Sequence, residues 1–135
     1  MTFPQIEGLR AMEFATPGAL RTRLVELVVS GQKTATAGLL SEYEAESEPV
    51  EHVGERLVVV DNELRPMAVI EVTRVELSRF ADVPDEFALA EGEGDLDGDD
   101  FRASHLAYWN GEGSHVDDDT LLVLVHFTLV ERLDV

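Results

Sequence analysis

Two β-branched runs with only five residues between them constrain this chain more than any other feature. Arg56–Val60 and Pro66–Leu77 are separated by Asp61-Asn62-Glu63-Leu64-Arg65. Five turn-forming residues cannot build the helical crossover that parallel strands need, so the two runs are predicted to pair as an antiparallel hairpin with a slightly long turn. The other helical and strand segments are joined by similarly short connections rather than regular βαβ units. That order predicts an α+β fold, with a curled and mostly antiparallel sheet closing into a small β-barrel flanked by helices.

The remaining elements follow from local signals. Thr16-Pro17 reads as an N-cap followed by proline at the first helical position, and Leu20, Leu24, Leu27 and Val28 then recur at helical spacing until Gly31 stops the helix. Lys33–Leu40 begins a strand, and Glu42–Glu55 reads as an acidic loop. Asp82–Ala90 and Phe101–Trp109 read as short helices on either side of a Gly-rich acidic turn, Glu91 to Asp95. Gly111–Asp119 is polar, and Leu121–Val130 is the most apolar strand.

Composition then excludes whole classes of function. At 135 residues the chain reads as one domain, 1–135, able to bury roughly two-thirds of its unfolded surface. No apolar run approaches the ~20 residues of a membrane span, and Met1 to Gln5 lacks the pattern of a secretory leader, so no membrane partner is expected. The chain has no cysteine, which excludes disulfides, thiolate catalysis and thiolate-bound metal and fits a cytoplasmic location. A formal charge of −18 repels a polyanion, so RNA is disfavoured and a small ligand in a local site is the expected partner.

Lys33 is the only lysine among 10 basic residues, the others being arginines. A buried amine can lose its proton and a guanidinium cannot, so a site requiring a neutral base must use lysine. Glu91 and Glu93 flank Gly92 where a helix should end, and Glu71 interrupts an apolar strand on the face shared by Val69, Thr73 and Val75. Phe101, His105, Tyr108 and Trp109 form a helical stripe that is either a core face or a wall for a heterocycle. Glu93–Ser104 resembles a calcium loop at Asp95, Asp97 and Gly98 but fails at its first and twelfth ligands. The four histidines have no ligand spacing, so no metal or cofactor is expected.

Gly31-Gln32-Lys33-Thr34-Ala35-Thr36 resembles the GxKxxT signature of ASCH domains, a branch of the PUA-like superfamily linked to RNA metabolism and coactivator proteins. The similarity continues through Tyr43-Glu44, Val69–Thr73, Phe87–Asp95 and the helix carrying Arg102, His105 and Trp109. It runs from Thr16 to Arg132, and the ordered blocks carry more weight than the hexamer alone. The resemblance implies a PUA-like β-barrel. Related small bacterial ASCH proteins remove the acetyl group of N4-acetylcytidine, using the lysine and second threonine of the signature and a glutamate after the second short helix.

Carried onto this chain, those positions are Lys33, Thr36 and Glu91, and the implied partner is a small nucleoside-like ligand. The expected substrate contacts are Thr34, Tyr43, Glu71, Glu93, Arg102, His105 and Trp109. Two positions depart from the pattern: Gly38 stands where those enzymes have arginine, and Phe101 where the subgroup has tryptophan. In the expected chemistry Lys33 deprotonates Thr36, Glu91 returns a proton to the leaving nitrogen, and Glu71 braces the site. Residues at i and i+3 of a regular strand face opposite ways, so a turn after Gly31 must bring Lys33 and Thr36 together. The alternatives are a non-catalytic module binding RNA or a modified nucleotide through Lys33, Arg74, Arg79 and Arg102, or a ribonuclease.

Overall fold

The computed structural model describes residues 8–133, and the segment from Met1 to Gln5 considered above as a leader lies outside them. In chain order the elements are β1 (Arg10–Met12), α1 (Ala19–Val29), β2 (Ala35–Leu39), α2 (Leu40–Ala45), β3 (Arg56–Val60), β4 (Pro66–Arg79), a 3-10 turn (Phe80–Asp82), α3 (Asp85–Glu91), α4 (Gly98–Gly111) and β5 (Leu121–Arg132). The five strands form one sheet in the order β1-β3-β4-β5-β2. All neighbours are antiparallel except β1 and β3, which run parallel. The α+β class and the curled, mostly antiparallel sheet are as expected. The sheet curls as a half-barrel, with β1 and β2 at the two ends of the strand order.

The β3–β4 turn is organised by Asp61, whose Oδ1 accepts the backbone N–H groups of Glu63 and Arg65, each at 2.9 Å. Further along β4 the register against β5 shifts between Val72 and Arg74, leaving Thr73 in a bulge. One extra residue reverses the inward and outward alternation of everything beyond it. Ile70, Val72 and Val75 therefore all pack on the core beneath α1, while Val69 faces the other way with Val58, Val60 and Leu133. The expectation that Glu71 and Val75 share a face fails for this reason.

Helix α1 starts at Ala19 rather than at Pro17, because Gly18 is the N-cap and donates its N–H to Asn62 Oδ1 at 2.9 Å. Its buried stripe is Arg21, Leu24, Val25 and Val28, and Leu20 faces solvent. Gly31, with φ 86°, ends the helix in a conformation other residues rarely adopt. Part of the expected acidic loop is instead helix α2, whose Tyr43 turns inward while Glu42 and Glu44 stay in water. The Asp97 side chain caps α4 by accepting the Asp100 N–H at 2.8 Å, so that helix begins before Phe101.

Helices α3 and α4 pack Phe87, Phe101 and Trp109 with Phe80 against Leu122 and Leu124 of β5. The alternate residues Val123 and Val125 face the α1 core. Burial on both faces explains why β5 reads as a continuous apolar run, each such side chain contributing roughly 1.5–3 kcal/mol.

Candidate functional site

The turn between α1 and β2 places Lys33 before the strand begins, two residues ahead of Ala35. Its backbone is held from two sides. Lys33 N–H donates to Leu27 O at 3.0 Å, and Thr34 N–H donates to Ala90 O at 2.8 Å, which ties the turn to the end of α3. Gly92, with φ 65°, ends α3 against that turn, and Gln32 Nε2 donates to Gly92 O at 2.8 Å. Arg23 fastens the next residue by donating to Glu93 O at 2.9 Å.

The result is a buried ion cluster. The Lys33 side chain is 0% exposed, and its Nζ donates to Ala35 O at 2.7 Å and to Glu93 Oε2. Glu91, 1% exposed, brings Oε2 to 3.8 Å from Nζ. The Phe14 ring lies 5.6 Å from the same ammonium. Glu91 Oε1 faces His105 Nε2 at 3.2 Å without an aligned hydrogen bond from any group. His105 in turn stacks on Phe101, with ring centroids 3.9 Å apart. Burial pulls the imidazole pKa down, but Glu91 above all, with Glu93 and the Phe101 carbonyl, holds it above the ordinary histidine value.

Above this cluster opens a cleft of about 820 Å³, lined by Thr36, Tyr43, Glu91, Glu93, His105 and Trp109 among others. A volume of this order suits a small ligand. Lys33 lies beneath its floor and reaches it through the two glutamates. Tyr43 donates its hydroxyl to Glu51 Oε1 at 2.6 Å, and burial followed by Glu51 raises the phenol pKa. Its ring also sits against Gly38, where an added Cβ would meet Tyr43 Cε1 at 3.3 Å.

The ASCH domain family model matches residues 10–131. This chain belongs to the ASCH domain family. It is similar to the ASCH domain from Lactobacillus crispatus JV V101, with a TM-score of 0.77 and 28% identity over 90% of this chain and 79% of that one. It is also similar to protein EF3133 from Enterococcus faecalis V583, with a TM-score of 0.70 and 33% identity over 82% of this chain and 68% of that one. A point mutant of ZmASCH from Zymomonas mobilis, at 9% identity and a TM-score of 0.52 over 84% and 70% of the two chains, shares the fold alone. No curated protein matches. ASCH domains are PUA-like and often linked to RNA binding, and the half-barrel is consistent with that architecture.

Several residues expected at the site of this ASCH domain lie elsewhere. Glu71 stands outside the cleft, on β4, and accepts from Arg56 Nε at 3.1 Å in a half-exposed pair. Arg102 is also outside, donating to the Val83 carbonyl at 3.1 Å and to Asp99 at 2.9 Å, which braces the start of α4. Thr34 is exposed and spends its hydroxyl on Ala90 O at 3.1 Å. Phe101 is wholly buried and is core, not a stacking wall. The basic patch considered for RNA does not form: Lys33 is buried, Arg74 pairs with Glu76, Arg79 with Asp119 and Asp82, and Arg102 with Asp99.

Arg21 is a buried cleft residue that pattern reading missed. It is 2% exposed, donates to Phe14 O and Ala15 O at 3.0 and 2.9 Å, and leaves Nη1 without a partner. An arginine inside the stripe with Leu24, Val25 and Val28 was the available signal. Glu91, Glu93 and His105 present three donor atoms within 4.8 Å of one another, a spacing that suits a cation. The Lys33 ammonium already contacts both carboxylates, so these residues serve an internal cation. Among the described residues, no helix is long and apolar enough to cross a membrane.

Proposed function

We propose that this ASCH domain is an amidohydrolase acting on an N-acylated pyrimidine nucleoside of the N4-acetylcytidine kind. The observation that carries the reading is a lysine with a wholly buried side chain, in contact with two glutamates that line a cleft whose wall also includes Thr36. A hydroxyl is a weak nucleophile until a base takes its proton. Passing a proton from Lys33 to Glu93 leaves an amine able to accept the Thr36 proton as Oγ attacks the acyl carbon. Glu91 then protonates the departing nitrogen, and water hydrolyses the resulting ester.

The rest of the cleft supports a ring-bearing, uncharged ligand. Tyr43 and Tyr108 supply aromatic surface. Glu42 at the rim has its pKa raised by burial and by neighbouring Glu46 and Glu112, a sign of crowded negative charge that disfavours phosphate. The test is incubation of the pure protein with N4-acetylcytidine and a panel of acylated cytosines, beside Lys33→Ala and Thr36→Val. Release by the native protein alone supports the reading. Release no greater than that of Lys33→Ala rejects it, and salt-dependent oligonucleotide binding in its place would favour an RNA-binding module.

A further inference from the structure

We propose that Glu91 and His105 hold a single proton between Oε1 and Nε2, and that this is the proton delivered to the leaving group, with His105 acting as the positioning residue that stores it. The inference rests on the hydrolase reading for the delivery step alone. The shared proton stands on geometry.

The other ring nitrogen fixes where the first hydrogen sits. His105 Nδ1 lies 2.9 Å from the Phe101 carbonyl oxygen, which can only accept, so Nδ1 carries a hydrogen. Ser104 Oγ, 3.2 Å from Nδ1, gives its own hydrogen to Asp95 Oδ2 at 2.9 Å and cannot reverse that assignment. A neutral imidazole with hydrogen on Nδ1 would point the Nε2 lone pair at Glu91 Oε1 from 3.2 Å. Two lone pairs facing each other in a site where Glu91 is 1% exposed are repulsive, and Oε1 has no other hydrogen bond to offset it. One proton between the two atoms removes the conflict, whether it sits on nitrogen or on oxygen.

The surrounding charges favour keeping that proton. Glu91 faces the ring from the end of α3 and Glu93 and Asp95 from the following loop, while Lys33 is engaged with the two glutamates and Arg23 with the Glu93 carbonyl. Excess negative charge around the imidazole raises its proton affinity against the cost of burial. In the hydrolysis, the Thr36 Oγ–carbon bond forms and the carbon–nitrogen bond breaks. The hydroxyl proton passes to Lys33, and the leaving nitrogen takes the proton of the pair. Water then cleaves the ester, and the proton on Lys33 returns to Glu91, so one water is consumed and the protein is unchanged.

The experiment is side-chain NMR of the nitrogen-15-labelled full chain, which has four histidines, with His105→Gln to assign the resonance. His105 is expected to keep hydrogen on Nδ1 throughout and to titrate above the ordinary histidine value, and Glu91→Gln is expected to shift its midpoint down. A neutral ring with hydrogen on Nε2, or a midpoint unmoved by Glu91→Gln, overturns the proposal. With an acylated cytosine as substrate, His105→Gln should lose about 10-fold or more in kcat at little change in KM and flatten the alkaline fall of the profile. If the native protein has no turnover while the NMR result holds, the hydrolase reading falls and the shared proton stands.

Discussion

A Cβ on Gly92 would lie 2.3 Å from the carbonyl oxygen of Gln32. This contact sets the distance between the end of α3 and the turn before β2, and therefore the approach of Glu91 and Glu93 to Lys33. Only glycine fits it, for steric reasons as well as for its φ of 65°. Gly92→Ala is expected to cost about 2 kcal/mol or more, since the left-handed conformation alone costs roughly 1–2 kcal/mol before any overlap is relieved. Gly111→Ala, at the end of α4 with open space around it, should be neutral or slightly stabilising. Urea denaturation of both variants checks the contrast, and equal effects would mean the Gly92 contact is not tight.

Lys33, with a wholly buried side chain, is balanced by two carboxylates. Lys33→Met should destabilise by about 3–5 kcal/mol, because it strands Glu91 beside an unpaired Glu93. Adding Glu93→Gln should restore part of the loss. For activity, Lys33→Arg and Lys33→Ala should both fall by about 10²-fold or more if the residue moves a proton, whereas an arginine that works would leave it a binding cation.

The raised pKa of His105 makes stability depend on pH in a defined direction. A base whose folded pKa exceeds its unfolded value contributes fully below the unfolded value and loses that contribution as pH rises through the folded one. The stability gap between native protein and His105→Gln should therefore be larger at about pH 5.5 than at about pH 8.5, on either side of the ordinary histidine value. Taking the difference removes the repulsion common to both variants. Denaturant midpoints at the two pH values measure it, and a gap that is equal or wider at alkaline pH contradicts the raised value.

Tyr43 and Glu51 form a buried pair whose carboxylate is also 3.5 Å from Arg10. Tyr43→Phe removes the phenol donor and should cost about 1–3 kcal/mol. Both tyrosines of the chain have raised pKa values, Tyr43 through burial and Glu51, Tyr108 through burial and Glu112. Absorbance titration of the folded protein should show neither ionising where free tyrosine does, near pH ~10. Ionisation of both at that pH in the folded state would show that the cleft side of α2 and α4 is open to water.

The chain's own order of residues determines what neighbours along the backbone can settle. The β3–β4 hairpin follows from five intervening residues, the end of α1 from Gly31, and the apolar β5 from burial on both faces. The GxKxxT hexamer likewise marks where an unusual lysine sits. Tertiary structure alone decides the rest. Strand β1, with only three residues, is too short for a periodic signal and exists because β3 offers it an edge. The bulge at Thr73 cannot be read from alternation, and it is why Val75 joins Ile70 and Val72 on the core face while Glu71, before it, meets Arg56 in water. Lys33 and Glu93 are 60 positions apart and touch only because Gly92 packs on Gln32. Periodicity reports which residues share a face of one element. Which faces then meet depends on how the sheet curls and where its register shifts, and those are properties of the packed molecule as a whole.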